Sequence, residues 1–334
     1  MAQRFAAAIH GCDSTRLSAE EKRFFSMSQP FGFILFDRNL EAPDQIRALC
    51  DDLRACVGWN APIFIDQEGG RVQRLRPPLA RDWLPPLDDV ARFGDHAAAA
   101  MRLRYHISAA ELRALGIDGN CAPTLDLARA ETHAVLRNRC YGASPERVIE
   151  IGRAVYDGLM QGGVFPVMKH MPGHGRGTLD SHLDLPLVTA SRSELESDFS
   201  IFRAFSDAPF GMSAHLVFEA IDTRPATTSP VMVDLIRRDI GFDGLLMTDD
   251  ISMQALSGSV PDRGAAALAA GCDLVLHCNG DLDERRALFE RTGQMSQAAQ
   301  ARAEAALVLR PEAQTVDIAA LEAEFETLSQ TAHR

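Results

Sequence analysis

The 334-residue chain lacks any apolar run of membrane-spanning length, and its first apolar run, Phe5–Ile9, is too short for the hydrophobic region of a secretory signal. No membrane association and no export are expected. It also lacks a basic surplus. The formal net charge is -12, the wrong sign for a surface that binds nucleic acid by displacing counterions, so no nucleic-acid partner is expected. Cysteine is present but unpaired in pattern: Cys12, Cys50, Cys56, Cys121, Cys140, Cys272 and Cys278 are odd in number, scattered, and form no CxxC. That distribution suits reduced thiols in a cytoplasmic protein better than a disulfide frame or a zinc site. No GxGxxG follows an early strand and no GxxxxGK[ST] occurs, which removes the usual nucleotide loops. HExxH, GxSxG and an early HxH are missing as well, so neither a zinc-protease helix, a serine nucleophile elbow nor the first-strand metal pair of barrel hydrolases is available. No metal and no cofactor is expected.

What the chain does have is a repeated alternation. Short apolar runs at 5–9, 32–36, 62–65, 119–123, 165–168, 210–213, 244–247 and 273–276 are separated by amphipathic stretches, several of which open on Ser, Pro or Asp as helix starts do. Eight strand and helix units predict an α/β fold, a single TIM (β/α)8 barrel; an open doubly wound sheet is the alternative. Three further helical patterns beyond about residue 281 predict a helical C-terminal extension to one domain spanning 1–334, set to cover the barrel or a partner subunit. The proline-rich stretch 74–95 reads as a wall near the mouth rather than a boundary.

Each apolar run ends in polar or ionisable residues: His10, Asp37-Arg38, Asp66-Gln67-Glu68, Asp126, Lys169-His170, His215, Asp249-Asp250 and His277. In a barrel those ends converge at the C-terminal mouth, where such enzymes keep their active sites. Lys169 to Pro186, KHMPGHGRGTLDSHLDLP, is broken by Pro172 and by glycines and is expected to be a loop. Within it Asp180 stands two residues before His182, so that in an extended backbone a carboxylate can face an imidazole and raise its basicity. Asp249, rigidly placed at the end of LLMT, is a second carboxylate, while Asp250 is expected to cap the next segment. A fixed carboxylate opposite a proton donor is what a retaining glycosidase needs. Phosphorolysis and non-catalytic sugar binding are the competing readings.

FIDQEGGRVQRL, NRCYG, the KHMPGHGRGTLDSHLDLP loop and GFDGLLMTDDISM, in that order across 64–253, resemble the beta-N-acetylglucosaminidases of glycoside hydrolase family 3, the NagZ type of peptidoglycan recycling. The resemblance implies a nucleophile at Asp249, an acid/base histidine at His182 with Asp180 as its partner, and sugar contacts from Asp66, Arg74, Arg139, Lys169 and His170. It implies metal-independent release of terminal beta-linked N-acetylglucosamine from 1,6-anhydro-muropeptides, with retention. Two positions depart from the family pattern: Met171 replaces the usual phenylalanine, and Glu219 a more usual proline.

Overall fold

A computed structural model describes residues 4–181, 184–312 and 316–332. Eight parallel strands close a barrel: β1 (Ala6–Gly11), β2 (Pro30–Leu35), β3 (Ile63–Ile65), β4 (Gly119–Asn120), β5 (Phe165–Met171), β6 (Phe210–Ser213), β7 (Leu245–Asp250) and β8 (Leu274–His277). Neighbours follow sequence order and β8 returns to β1, with Ala8 opposite Val275 and His10 opposite His277. The closed α/β barrel is therefore the architecture, and the open sheet is excluded. A main helix follows each strand on the outside: α1 (Ala19–Ser28), α2 (Pro43–Val57), α3 (Ala97–Ala114), α4 (Pro145–Gln161), α5 (Arg192–Arg203), α6 (Pro230–Arg238), α7 (Val260–Ala270) and α8 (Leu282–Thr292), with short additional helices after β3 and β4. The helix starts are chemical. Ser18, Ser144, Ser191, Ser229 and Ser259 each accept a first-turn backbone N–H, satisfying a donor the helix itself leaves unpaired.

Strand alternation sorts the core into two shells. Phe31, Phe64, Phe165 and Phe210 point inward, with the other three ring centroids 5.0–6.1 Å from that of Phe210, and fill the lower barrel. Val167, Met212, Met247 and Leu276 belong to the same inner cluster. Residues of opposite parity, such as Phe33, Leu35 and Val275, pack outward against the helices.

Past residue 281, α8 completes the ring, packing on α7 and β1. The helix Gln297–Val308 (α9) lies across the N-terminal mouth: Ala299, Ala303 and Ala306 join the inner cluster, the Met295 N–H donates to the Phe5 carbonyl at 2.9 Å, and Arg302 pairs with Asp273 at 3.0 Å. The last helix, Ile318–Ala332 (α10), docks Phe325 against Trp83 and Phe93 at centroid distances of 5.3 and 5.0 Å. The segment 74–95 carries a helix that its composition hid, Pro86–Phe93. Pro85 and Pro86 sit at its cap and first turn, where a missing N–H costs nothing.

Under α10, the Glu111 carboxyl accepts the Arg81 N–H at 2.8 Å but is largely buried, and burial, with Glu322 nearby, pushes its pKa up to about 7. The folded pKa exceeds the unfolded one, so the neutral form favours the fold. That contribution is complete below the ordinary glutamate range and is lost as pH rises through about 7. Glu111→Gln keeps the acceptor and removes the charge. It is expected to raise the thermal midpoint at pH 8 by about 2 °C and to leave it unchanged at pH 5, measured by thermal unfolding at the two pH values.

Candidate active site

A cavity of about 350 Å³ opens at the C-terminal mouth. Its wall includes Asp66, Arg74, Arg139, Lys169, His170, Asp180 and Asp249, drawn from positions up to 183 residues apart in sequence (249 - 66). The barrel thus brings together every sequence-predicted site residue that lies among the described ones. His182 lies outside the described residues. Asp180 stands on the cavity wall with Leu179 and Ser181, and its carbonyl accepts the Asp184 N–H at 3.0 Å.

The floor is a ladder of matched charges. Lys169 Nζ lies 2.9 Å from Asp66 Oδ1 and 2.6 Å from Glu68 Oε1. Arg74 donates to the other Asp66 oxygen at 3.2 Å, and Arg139 grips Glu68 with two bonds of 2.8 and 2.9 Å. Burial alone would raise the carboxyl pKa values. The adjacent cations reverse that, holding Asp66 well below the carboxylate range and Glu68 at about 2. Burial would likewise deprotonate Lys169, yet Asp66 and Glu68 push its pKa above the ordinary lysine value. Charge pairs of this kind are rigid because breaking one leaves an uncompensated buried ion.

His170 stands beside the ladder. Arg139 Nη2 lies 3.4 Å from His170 Nε2, and a guanidinium can only donate, so Nε2 accepts. The proton then sits on Nδ1, which donates to Asp126 Oδ2 at 2.7 Å. The other Asp126 oxygen accepts the His174 N–H at 2.6 Å, so one buried carboxylate fixes both the imidazole and the turn into the loop.

Asp249 is the penultimate residue of β7 and stands half-buried at the cavity wall. Burial would raise its pKa, but the Asp250 N–H and the Lys169 ammonium are among the neighbours that hold it below the usual value, so it is ionised at neutral pH. Its Oδ1 accepts the Asp250 N–H at 2.8 Å, and Oδ2 has no hydrogen bond among the described residues. Asp250 is otherwise engaged: its carboxylate accepts from Ser252 N and Oγ, Cys278 N and Asn279 Nδ2 at 2.6–3.3 Å, capping the turn after β7 as expected. His215, fully buried, donates from Nε2 to the Asp250 carbonyl at 3.1 Å, and its Nδ1 lies 2.8 Å from Thr227 Oγ1. Burial lowers its pKa.

Several expectations shift in detail. Lys169, His170 and Met171 belong to β5, so the loop begins only at Pro172. Gly69 and Gly70 form the turn of the hairpin after β3: both have positive φ, and a Cβ on Gly69 would come within 1.9 Å of Arg104 Nη2. Of the eight strand ends, three border the cavity, at Asp66, Lys169-His170 and Asp249-Asp250, whereas His10 and His277 face away because their neighbours Ile9 and Leu276 take the inward positions. Met171 is buried in the core and Glu219 is exposed, so neither departure touches the cavity wall. Glu68, Asp126 and His215 were visible as strand-end residues, but their partners, which give them their part, come from distant segments.

The Glycosyl hydrolase family 3 N terminal domain profile matches residues 7–310. The chain belongs to glycosyl hydrolase family 3. A beta-hexosaminidase of Alkalilimnicola ehrlichii is 39% identical over 279 residues, 80% of this chain and 79% of the relative. Another, from Methylococcus capsulatus, is 39% identical over 276 residues, 79% and 80% of the two chains. The crystal structure of NagZ from Neisseria gonorrhoeae in complex with N-trifluoroacetyl-D-glucosamine superposes with a TM-score of 0.84 at 31% identity, covering 98% of this chain and 97% of that one. The protein is a glycoside hydrolase with the barrel and family of the beta-hexosaminidases.

The ladder makes a stability statement. Lys169→Met leaves Asp66 and Glu68 with one cation each in a largely buried site and is expected to cost about 3–5 kcal/mol, read as a large drop in thermal midpoint. An unchanged midpoint would show that the ladder does not hold the floor together.

Proposed function

We propose that the protein is a retaining exo-beta-N-acetylglucosaminidase that removes terminal beta-linked N-acetylglucosamine from 1,6-anhydro-muropeptides in peptidoglycan recycling. The observation that carries this is the state of Asp249: ionised, tied down through Oδ1, and with Oδ2 unengaged among the described residues at the wall of a polar cavity. In the first step Oδ2 attacks the anomeric carbon while the bond to the leaving oxygen breaks and His182 transfers its proton to that oxygen. In the second, His182 takes a proton from water, the water oxygen bonds to the anomeric carbon, and Asp249 departs as carboxylate. Asp180 orients His182 and favours its charged form. Asp66, Arg74, Arg139, Lys169 and His170 hold the sugar: a pre-paired set of donors and acceptors binds neutral hydroxyls without reorganising. No metal and no cofactor enters the scheme.

A cytoplasmic setting accords with seven free cysteines, six of them buried, and with the finding that none of the described helices is long and apolar enough to cross a membrane. We take residues 1–334 as one glycosidase domain, with the helices past about 281 as its extension.

Incubation with a 2-deoxy-2-fluoroglucosyl donor, in which fluorine replaces the acetamido group, followed by peptide mapping is expected to place the covalent label on Asp249; a label elsewhere would overturn the assignment. Asp249→Ala is expected to abolish turnover of an aryl N-acetyl-beta-glucosaminide. Asp180→Ala is expected to lower kcat about a hundredfold and to move the acid limb of the pH–rate profile. Near-normal activity in Asp249→Ala would end the proposal.

A further inference from the structure

Four permanently charged or strongly basic side chains border the cavity, and three are matched inside the protein: Arg74 by Asp66, Arg139 by Glu68, and Lys169 by both carboxylates. Arg71 differs. It stands at the tip of the hairpin formed by Gln67–Gly69 and Val72–Gln73, is exposed, and has no carboxylate partner among the described residues. Its hydrogen bond there runs from Nη2 to the Val135 carbonyl, 3.1 Å away. One bond engages one of five N–H donors and steadies the guanidinium at the rim, leaving its other donors unmatched.

A second compartment of about 120 Å³ adjoins the first, and Arg71, Val135 and Arg139 border both. Gly69, Pro85, Pro86 and Ala134 make its walls mostly apolar. Depth fixes which part of a substrate meets it. Lys169 and Glu68 are buried and Asp249 half-buried, whereas Arg71 is exposed. A sugar whose anomeric carbon meets Asp249 fills the floor, so whatever lies beyond the scissile oxygen emerges past the rim.

We infer that Arg71 is a specificity residue for the leaving group: it receives a carboxylate carried by the aglycone, while the adjoining apolar compartment takes the atoms that bear it. The inference rests on the exo-glycosidase reading of the cavity and adds the charge of the leaving group to it. A guanidinium pairs with a carboxylate through parallel N–H bonds, a geometry a neutral group cannot match. With a net charge of -12 the molecule as a whole repels anions, and a local cation at the mouth offsets that repulsion where the substrate enters.

The test uses two 1-thio-beta-N-acetylglucosaminides that resist hydrolysis, one with a 4-carboxyphenyl and one with a 4-carbamoylphenyl aglycone, so that binding is read without turnover. Calorimetric Kd values are measured for the wild type, Arg71→Gln and Arg71→Lys. The wild type is expected to favour the carboxylate about fivefold relative to Arg71→Gln, Arg71→Lys to keep part of that preference, and added salt to erase it. Equal Kd ratios in the wild type and Arg71→Gln would overturn the inference. Inorganic phosphate forms a separate arm: phosphate-dependent release of sugar 1-phosphate from the oxygen-linked amide, lost in Arg71→Gln, would assign Arg71 to phosphate instead. Hydrolysis of that oxygen-linked amide by the wild type reports on the glycosidase reading alone, so the two failures are distinguishable.

Discussion

An almost wholly buried lysine ammonium, held between two carboxylates, is the constraint on which the cavity depends. Lys169 reaches Asp66 and Glu68 at once, and Arg74 and Arg139 close the remaining oxygens. Each ion would be costly alone in that setting, and only the complete set is tolerable. The consequence is a floor whose donors and acceptors are fixed before a ligand arrives. The barrel supplies the geometry: β3 ends just before Asp66 and β5 carries Lys169, two neighbours across β4 that point toward the same mouth.

The same pattern extends to Asp249, the carboxylate we propose as nucleophile. Asp249 and Asp250 are adjacent and chemically alike, yet four donors engage Asp250 in the turn after β7, while Asp249 is secured through one oxygen. His215 stands behind both, fixed by Thr227 on one ring nitrogen and by the Asp250 carbonyl on the other. Two identical side chains thus take different parts because their surroundings differ, the one structural and the other, on our proposal, nucleophilic.

The barrel was legible because eight buried parallel strands must read as apolar runs, whatever their loops contain. Strand limits were less so. A first charged residue looked like an ending at Lys169 and at Asp249, but β5 and β7 continue through them, since a charge facing a polar cavity or a matched partner can stay in a strand. Conversely β4 is regular only over Gly119–Asn120, shorter than the apolar run suggested, although hydrogen bonds to the neighbouring strands continue from Cys121, Ala122 and Pro123 up to Thr124 opposite Lys169. At the site, residue types and strand-end positions pointed to Asp66, Lys169, His170 and Asp249. Glu68 and Asp126 escaped because what marks them is a partner far along the chain, Arg139 in one case and His170 in the other. His10 misled for the opposite reason: alternation turns it outward, against Phe24 and Phe25.

The central claim is that an ionised carboxylate at the cavity wall attacks the sugar directly, so that two inversions at the anomeric carbon leave its configuration unchanged. Proton NMR during hydrolysis of an aryl N-acetyl-beta-glucosaminide reads this before mutarotation intervenes. The account predicts that the beta anomer of free N-acetylglucosamine appears first and the alpha anomer only later, and initial release of the alpha anomer would contradict it.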